Sequence, residues 1–423
     1  MTGPRTIEII KGNIVEAKRF GAPEITENGY IVLENGVILG VFDKLPEHYR
    51  STPVTDYGDS LILQGFCDMH LHAPQYPMLG MGMDLTLLDW LKTYTFKTEA
   101  RFADNDYARR VYRALAKELV ANGTTRVCMF SSLHASATLI LMEELENAGV
   151  SGYVGKVNMD RDSGECQECT EGSVNETLRW LDGCGKFQNI RPILTPRFTP
   201  SCTDELMTWL GEQAQERGLY VQSHLSENLR EIELVKKLHP DCSQYWETYD
   251  RFGLWRDHTI MAHCVYSDER EQDAMIESNV LCVHCPDSNI NICSGFAPVR
   301  KMKERGVWVA LGSDIAGGAQ LPMMRVMTAC IRASKARAIN TGGAEPFLTV
   351  GEAYYLATSA GARYFGDADG FAEGNRLHAV VVDDNALPES ARPLSLKERF
   401  ERAVYLTGSG AVAAVYANGK KIR

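Results

Sequence analysis

Between about residue 60 and residue 314 an apolar run of strand length gives way to polar residues eight times over. The runs are LILQGFCDMHLH, TRVCMFSS, GYVGKVNMD, IRPILTPRF, YVQSHLSE, TIMAHCVY, VLCVHCPDSN and VWVALGSD. Helix-like segments such as DYARRVYRALAKELVANG and TDELMTWLGEQAQERG separate them. Strands alternating with helices are the pattern of βα units around a parallel sheet, so eight units predict an α/β chain with a (β/α)8 barrel of the TIM type. The side chains able to do chemistry stand where each apolar run stops, at the C-terminal end of the strand. Active sites of such barrels are assembled from those ends, so the reading of the fold and the reading of the site support each other.

The two ends of the chain follow another rule. TIEIIKGNIVEA and GYIVLENGVILGVFD open it, HAVVVDD and AVAAVYANGKKIR close it, and Asn-Gly marks a hairpin in each. Two β-rich ends around a different middle predict a small composite β-sandwich domain formed by both termini. The expected division is 1–64 and 370–423 for that domain and 65–369 for the barrel. The acidic excess, 55 Asp and Glu against 44 Lys and Arg, argues against a nucleic-acid partner, which requires a basic face. No run reaches the roughly 18 apolar residues of a membrane span, and MTGPRTIEIIKG lacks the apolar centre of an export signal, so a cytoplasmic chain is expected. The 12 cysteines are scattered, and Cys67, Cys128, Cys264 and Cys282 sit inside apolar runs, as small buried hydrophobes do in a reducing compartment. Cys166-x-x-Cys169 has no second pair to complete a zinc site and reads as a surface loop.

His70 and His72 are two apart at a strand end, so both imidazoles face one side of the sheet. Two histidines on one face can chelate one ion, and further ligands must come from other strand ends. His224 closes the fifth run, His263 the sixth and Asp314 the eighth. Histidines with one carboxylate and a water suit a borderline divalent ion such as zinc and leave a position open for chemistry. His48, His134, His239, His258 and His378 read as ordinary core or surface histidines. Glu227 follows His224 by three residues, in the first turn beyond the strand. There a carboxylate stands beside a metal without ligating it and can carry a proton from water to a leaving group; alternatively it is an acid favouring the start of the next helix.

Taken together, GFCDMHLH, HLSE, MAHCVY, HCPDSN and GSDIAGG resemble the amidohydrolase superfamily in its purine and triazine deaminase branch. HAPQYPMLGMGMDLTLLDWLKTYTFKTEARF, VGKVNMD, TPRFTPSC and SHLSEN are similar to the guanine deaminases within that branch, and the resemblance runs from about Gly65 to about Asp369. It implies one divalent ion per chain, zinc or iron, on His70, His72, His224 and Asp314. It further implies that His263 orients the attacking water, that Glu227 shuttles protons, that Asp314 accepts one, and that Gln75, Arg197 and Phe198 bind a purine. His72, His224, Glu227 and Asp314 would border the same substrate. An arginine fork can donate to a purine's O6/N7 edge, an amide can donate and accept, and a phenyl ring offers an apolar face. Homodimerisation is implied by the family as well. The departures, Gly374-Asn375 for the usual Gly-Lys and His378 where Asp is common, lie in the terminal β segment. Related rings such as 8-oxoguanine, a pterin or a triazine are the alternative substrates. A binuclear amidase would require a lysine at the end of strand four, where Thr195-Pro196-Arg197-Phe198 stands. A non-catalytic scaffold would lack the histidines, and the small zinc deaminase fold requires P-C-x-x-C, absent here.

Overall fold

The structure, a computed structural model, describes residues 5–423; residues 1–4, with which the expected segment 1–64 and the reading of the N-terminus begin, lie outside the described residues. Four strands open the chain: β1 (Ile7–Glu16), β2 (Glu24–Glu34), β3 (Val37–Phe42) and β4 (Val54–Gln64). Ten follow in the middle: β5 (Phe66–His72), β6 (Thr124–Phe130), β7 (Ser151–Gly155), β8 (Val157–Asn158), β9 (Ile190–Pro192), β10 (Thr195–Pro196), β11 (Gln222–Leu225), β12 (Ile260–His263), β13 (Leu281–His284) and β14 (Trp308–Leu311). Three close it: β15 (Ala379–Val382), β16 (Val412–Ala417) and β17 (Lys420–Lys421).

The first and last groups form one seven-stranded sheet in the order β17-β16-β15-β4-β1-β2-β3. Both termini contribute, as expected, but a single continuous sheet takes the place of the expected β-sandwich. The reason lies in the pairing of β4, which runs parallel to β1 on one side and antiparallel to β15 on the other, so that the two ends of the chain share one ladder. The sheet wraps an apolar cluster of its own that includes Ile14, Ile31, Ile38, Ile62, Val381 and Ala414. Its two Asn-Gly hairpins meet. Asn35 and Gly36, like Asn418 and Gly419, take the left-handed conformations that a two-residue hairpin needs. A Cβ on Gly36 would lie 2.7 Å from the Cα of Gly419, so neither turn accepts a side chain there.

The middle strands all run parallel, in two four-stranded arcs, β5-β6-β7-β9 and β11-β12-β13-β14, with β8 and β10 paired between them. Each of the eight apolar runs contains a strand, but LILQ of the first run ends β4 of the terminal sheet and only FCDMHLH forms β5, and the ladder is not one closed ring. The third and fourth runs are each split in two, and Pro192 and Pro196, which have no N–H to give, stand at the ends of β9 and β10. The arcs meet at a bridge between Leu194 and Val221, and on the other side through Asp314 N, which donates to His70 O at 2.8 Å.

The helices cover these arcs for local reasons. Asn105–Ala121 starts where the Asp104 carboxylate accepts from the backbone N–H of Asp106 and Tyr107, and it buries Tyr112, Leu115, Ala116, Leu119 and Val120 on one face. Gly123 follows at φ +82°, where a Cβ would strike Val380 of the terminal sheet. No helix among the described residues is long and apolar enough to cross a membrane.

Candidate active site

The strand ends bring the predicted histidines together. His72 Nε2 lies 3.1 Å from His224 Nε2, and Asp314 Oδ1 lies 3.3 Å from His70 Nε2 and 3.4 Å from His72 Nε2. Zinc with ligands at about 2.0–2.1 Å in a tetrahedron separates its donor atoms by about 3.3 Å, so these three approaches suit such an ion, and the donor atoms of His70, His72 and His224 all lie within 4.8 Å of one another. His70 Nε2, which faces Asp314, is buried without a hydrogen-bond partner, an arrangement that a bound cation would satisfy. His224 Nδ1 sits 2.6 Å from the carbonyl oxygen of Arg197; donating to it leaves Nε2 as the coordinating atom. Burial holds His70, His72 and His224 below the ordinary imidazole value, hence neutral, the form that ligates metal. Burial alone would raise Asp314, but the histidines around it, His70 first, hold its carboxyl well below the usual carboxylate range.

His263 stands beside them and also lines the adjoining cleft. Its Nδ1 stands 2.8 Å from Asn289 Oδ1, and its Nε2 stands 3.5 Å from Glu227 Oε2 and 3.8 Å from Asp314 Oδ2. Burial opposes its charge, but Glu227 and Asp314 outweigh burial and raise it. Glu227 sits in the turn between β11 and the helix Leu229–Leu238. That helix is capped by Asn228, with Glu231 completing the capping box, so the helix-starting role falls to them. Glu227 is left for the site, 3% exposed, with Ser294 Oγ donating to its Oε1 at 3.0 Å. Burial pushes its carboxyl up to about 7. Ser226, His263, Cys264 and Asp314 all have positive φ. Non-glycine residues take that conformation at a cost, and clusters of them mark sites held by the surrounding structure.

A narrow cleft opens beside these groups. Gln75, Arg197, Phe198, His72, His224, Glu227, His263 and Asp314 line it, together with Leu87, Trp90, Leu91 and Ile292. Every predicted site residue except His70 therefore borders one cavity, and His70 is fully buried against His72 and His224. The five histidines read as ordinary stand outside this group. Cys166 departs from the surface-loop reading: it is buried and donates to the Phe96 carbonyl, while Cys169 is exposed and caps a helix.

Several contributors were not legible in the sequence. Glu99 is 1% exposed and binds both Gln75 and Arg197; the latter contact spans 98 positions, and although Glu99 lies inside the HAPQYP…KTEARF run already quoted, nothing local singled it out. Asn289 and Ser294 orient His263 and Glu227. Asn289 lies inside the HCPDSN run already singled out, as Glu99 lies inside the longer run that begins at His72. Cys285, in the same run, brings its sulfur within 4.8 Å of donor atoms of His70, His263 and Asp314.

The amidohydrolase family model matches residues 61–422. The chain is 35% identical to guanine deaminase from Dictyostelium discoideum over the full length of both proteins, and 36% identical to guanine deaminase from Mus musculus, covering 85% of this chain and 82% of that one. Among solved structures, guanine deaminase from C. acetobutylicum with bound guanine in the active site superposes with a TM-score of 0.95 at 41% identity, covering 99% of this chain and 100% of the other.

Proposed function

This chain belongs to the amidohydrolase family, and on that premise we propose that it hydrolyses the exocyclic C–N bond of guanine, releasing xanthine and ammonia. The relatives similar over most or all of the chain are guanine deaminases. One observation carries the reading furthest: His72, His224 and Asp314, a buried glutamate and an arginine–amide fork all border a single cleft, with His70 buried against His72 and His224.

His70, His72, His224 and Asp314 would hold one divalent ion, with zinc preferred and iron suited by the same donors. When bound, such an ion supplies hydroxide at neutral pH. The remaining chemistry belongs to the chain. Arg197 and Gln75 grip the edge of the purine, and Phe198, Trp90 and Leu91 supply apolar walls that exclude bulk water. Asp314 takes one proton from the attacking water while the oxygen bonds to C2, and His263 orients that oxygen. Glu227 gives its proton to the neighbouring ring nitrogen, so C2 becomes tetrahedral. It then takes the remaining hydroxyl proton and passes it to the exocyclic nitrogen. The C2–N bond breaks, ammonia leaves with the electron pair, and C2 becomes a carbonyl. The proton on Asp314 returns to Glu227 for the next cycle. A raised carboxyl suits this double duty, because proton shuttles work best when their pKa lies near the working pH.

The same reading includes a (β/α)8 barrel over 65–369, a terminal β domain from 1–64 and 370–423, a homodimer and a cytoplasmic location. The two parallel arcs joined through Leu194–Val221 and Asp314–His70 support the barrel. The functional test is ammonia release from guanine, 8-oxoguanine, adenine, cytosine, pterin and isoxanthopterin. Guanine is expected to rank among the best substrates; failure to do so would remove the assignment.

A further inference from the structure

Glu99 has no place in the proton transfers above, yet it is buried at the base of the purine fork. Its Oε1 accepts from Gln75 Nε2 at 2.8 Å and from Arg197 Nη1 at 3.0 Å, and its Oε2 accepts from the same Nη1 at 2.8 Å. The side chains of Glu99 and Arg197 are 2% and 3% exposed. Gln75 is held from its other end as well, because its Oε1 accepts from the backbone N–H of Ala316 at 3.0 Å. The amide therefore cannot flip, and its remaining N–H is the group it can offer a ligand. Arg197 spends Nη1 on Glu99, while Nε and Nη2 have no protein partner among the described residues. The guanidinium lies over the Phe96 ring at 5.6 Å, which fixes its plane.

We propose that Glu99 is a positioning residue that locks Gln75 and Arg197 as donors and cancels the charge of Arg197, so that the pocket selects neutral purines over anionic ones. The inference rests on the deaminase reading and deepens it. Arg197 is the only lysine or arginine lining the cleft among the described residues. Left alone in a buried site, a guanidinium would draw in an anion, since an unpaired buried charge is strongly unfavourable. Paired with Glu99, it keeps its hydrogen-bonding fork and loses its net charge. Guanine is neutral. The product is a more acidic purine, and a neutral fork gives its anion no added hold.

The test compares wild type with Glu99→Gln and Glu99→Asp, using guanine kinetics and competitive inhibition by urate, a purine monoanion at neutral pH. Losing a charge-assisted pair of this kind should raise KM for guanine about tenfold or more. By contrast, kcat should change by less than about threefold, since the interaction is made in ground state and transition state alike. Urate should inhibit Glu99→Gln about tenfold more tightly than wild type. Glu99→Asp, which keeps the charge, should return urate inhibition to the wild-type level. Unchanged KM, unchanged urate inhibition, or parallel collapse of kcat and metal content would overturn the proposal. Two further measurements keep it open to refutation if Glu99→Gln does not fold. In wild type, neutral hypoxanthine should inhibit more tightly than urate, and the reverse order would refute the charge argument. The double variant Glu99→Gln/Arg197→Gln should retain metal and show no gain in urate affinity; a gain would refute it too. A wild type inert toward guanine would sink the deaminase reading itself, whereas active wild type with an indifferent Glu99→Gln sinks only this inference.

Discussion

Glu271 offers a test of the electrostatics behind the site that needs no substrate. It lies in the first turn of the helix Glu269–Glu277, which follows β12, and is 2% exposed. Ser267 Oγ donates to its carboxylate, and no lysine or arginine among the described residues pairs with it. Burial is the leading cause that pushes its carboxyl from the ordinary 4.5 up to about 7. Below pH 4.5 the group is protonated in both folded and unfolded chains, and the stabilisation is fully present. Between 4.5 and about 7 the folded chain holds the proton while the unfolded chain releases it, so stability falls as pH rises, and it levels off above 7. At 1.36 kcal/mol for each tenfold change, the whole loss is about 3 kcal/mol. An unfolding entropy of about 2.1 cal/mol/K per residue makes this about 3 °C in melting temperature for a chain of this length. Glu271→Gln keeps the shape and the Ser267 contact but cannot titrate. The melting temperatures of wild type and variant should therefore be measured side by side in metal-saturated buffer from pH 5 to pH 8. Wild type should lose about 3 °C relative to the variant over that range, most of it below pH 7. A constant difference across the range, or wild type gaining on the variant as pH rises, would show that this buried carboxyl is not held protonated and refute the reasoning.

Other consequences follow from the same structure. Glu227→Gln should lower kcat about 10²- to 10⁴-fold while metal content, read by elemental analysis, stays at the wild-type level; retained turnover would strip Glu227 of the shuttle role. Removing metal with a chelator should abolish ammonia release and lower the melting temperature, and adding zinc should restore both; turnover in protein with no detectable metal would defeat the assignment of the His70, His72, His224 and Asp314 cluster. Gly155→Ala places a Cβ 1.7 Å from Thr195 Oγ1 and 2.4 Å from Ile193 O, where β7 meets the β9–β10 segment, and should cost about 2 kcal/mol or more in denaturant melts. A variant as stable as wild type would mean that these strands do not approach so closely.

Much of this site could be read from the chain because strand ends announce themselves locally. An apolar run that stops at His70-x-His72, or at HLSE, carries its own orientation: alternation along a strand places both histidines on one side, and the residue three beyond the last ligand falls in the following turn. The Asn-Gly hairpins were legible for the same reason, since a turn's backbone requirement is met within two residues. Local rules did not say that β1 and β15 would flank β4 in a single sheet, nor that prolines at the ends of β9 and β10 would interrupt the ladder. They were equally silent on Cys166, which lies beneath Phe96 instead of on the surface.

Periodicity and motif thus determined the class of fold, the eight strand-like runs and the identity of the side chains at their ends, because each depends on neighbours a few positions away. Tertiary structure decided how those ends meet. The 3.1–3.4 Å approaches of His72 to His224 and of Asp314 to His70 and His72 exist only once parallel strands stand side by side. The burial that neutralises the histidines and raises Glu227 belongs to the assembled interior. The Glu99–Arg197 pair requires residues 98 positions apart to enter the same dry volume. A sequence records which groups are available, but desolvation and charge pairing depend on distance in space, and those distances are set only when the backbone has closed around them.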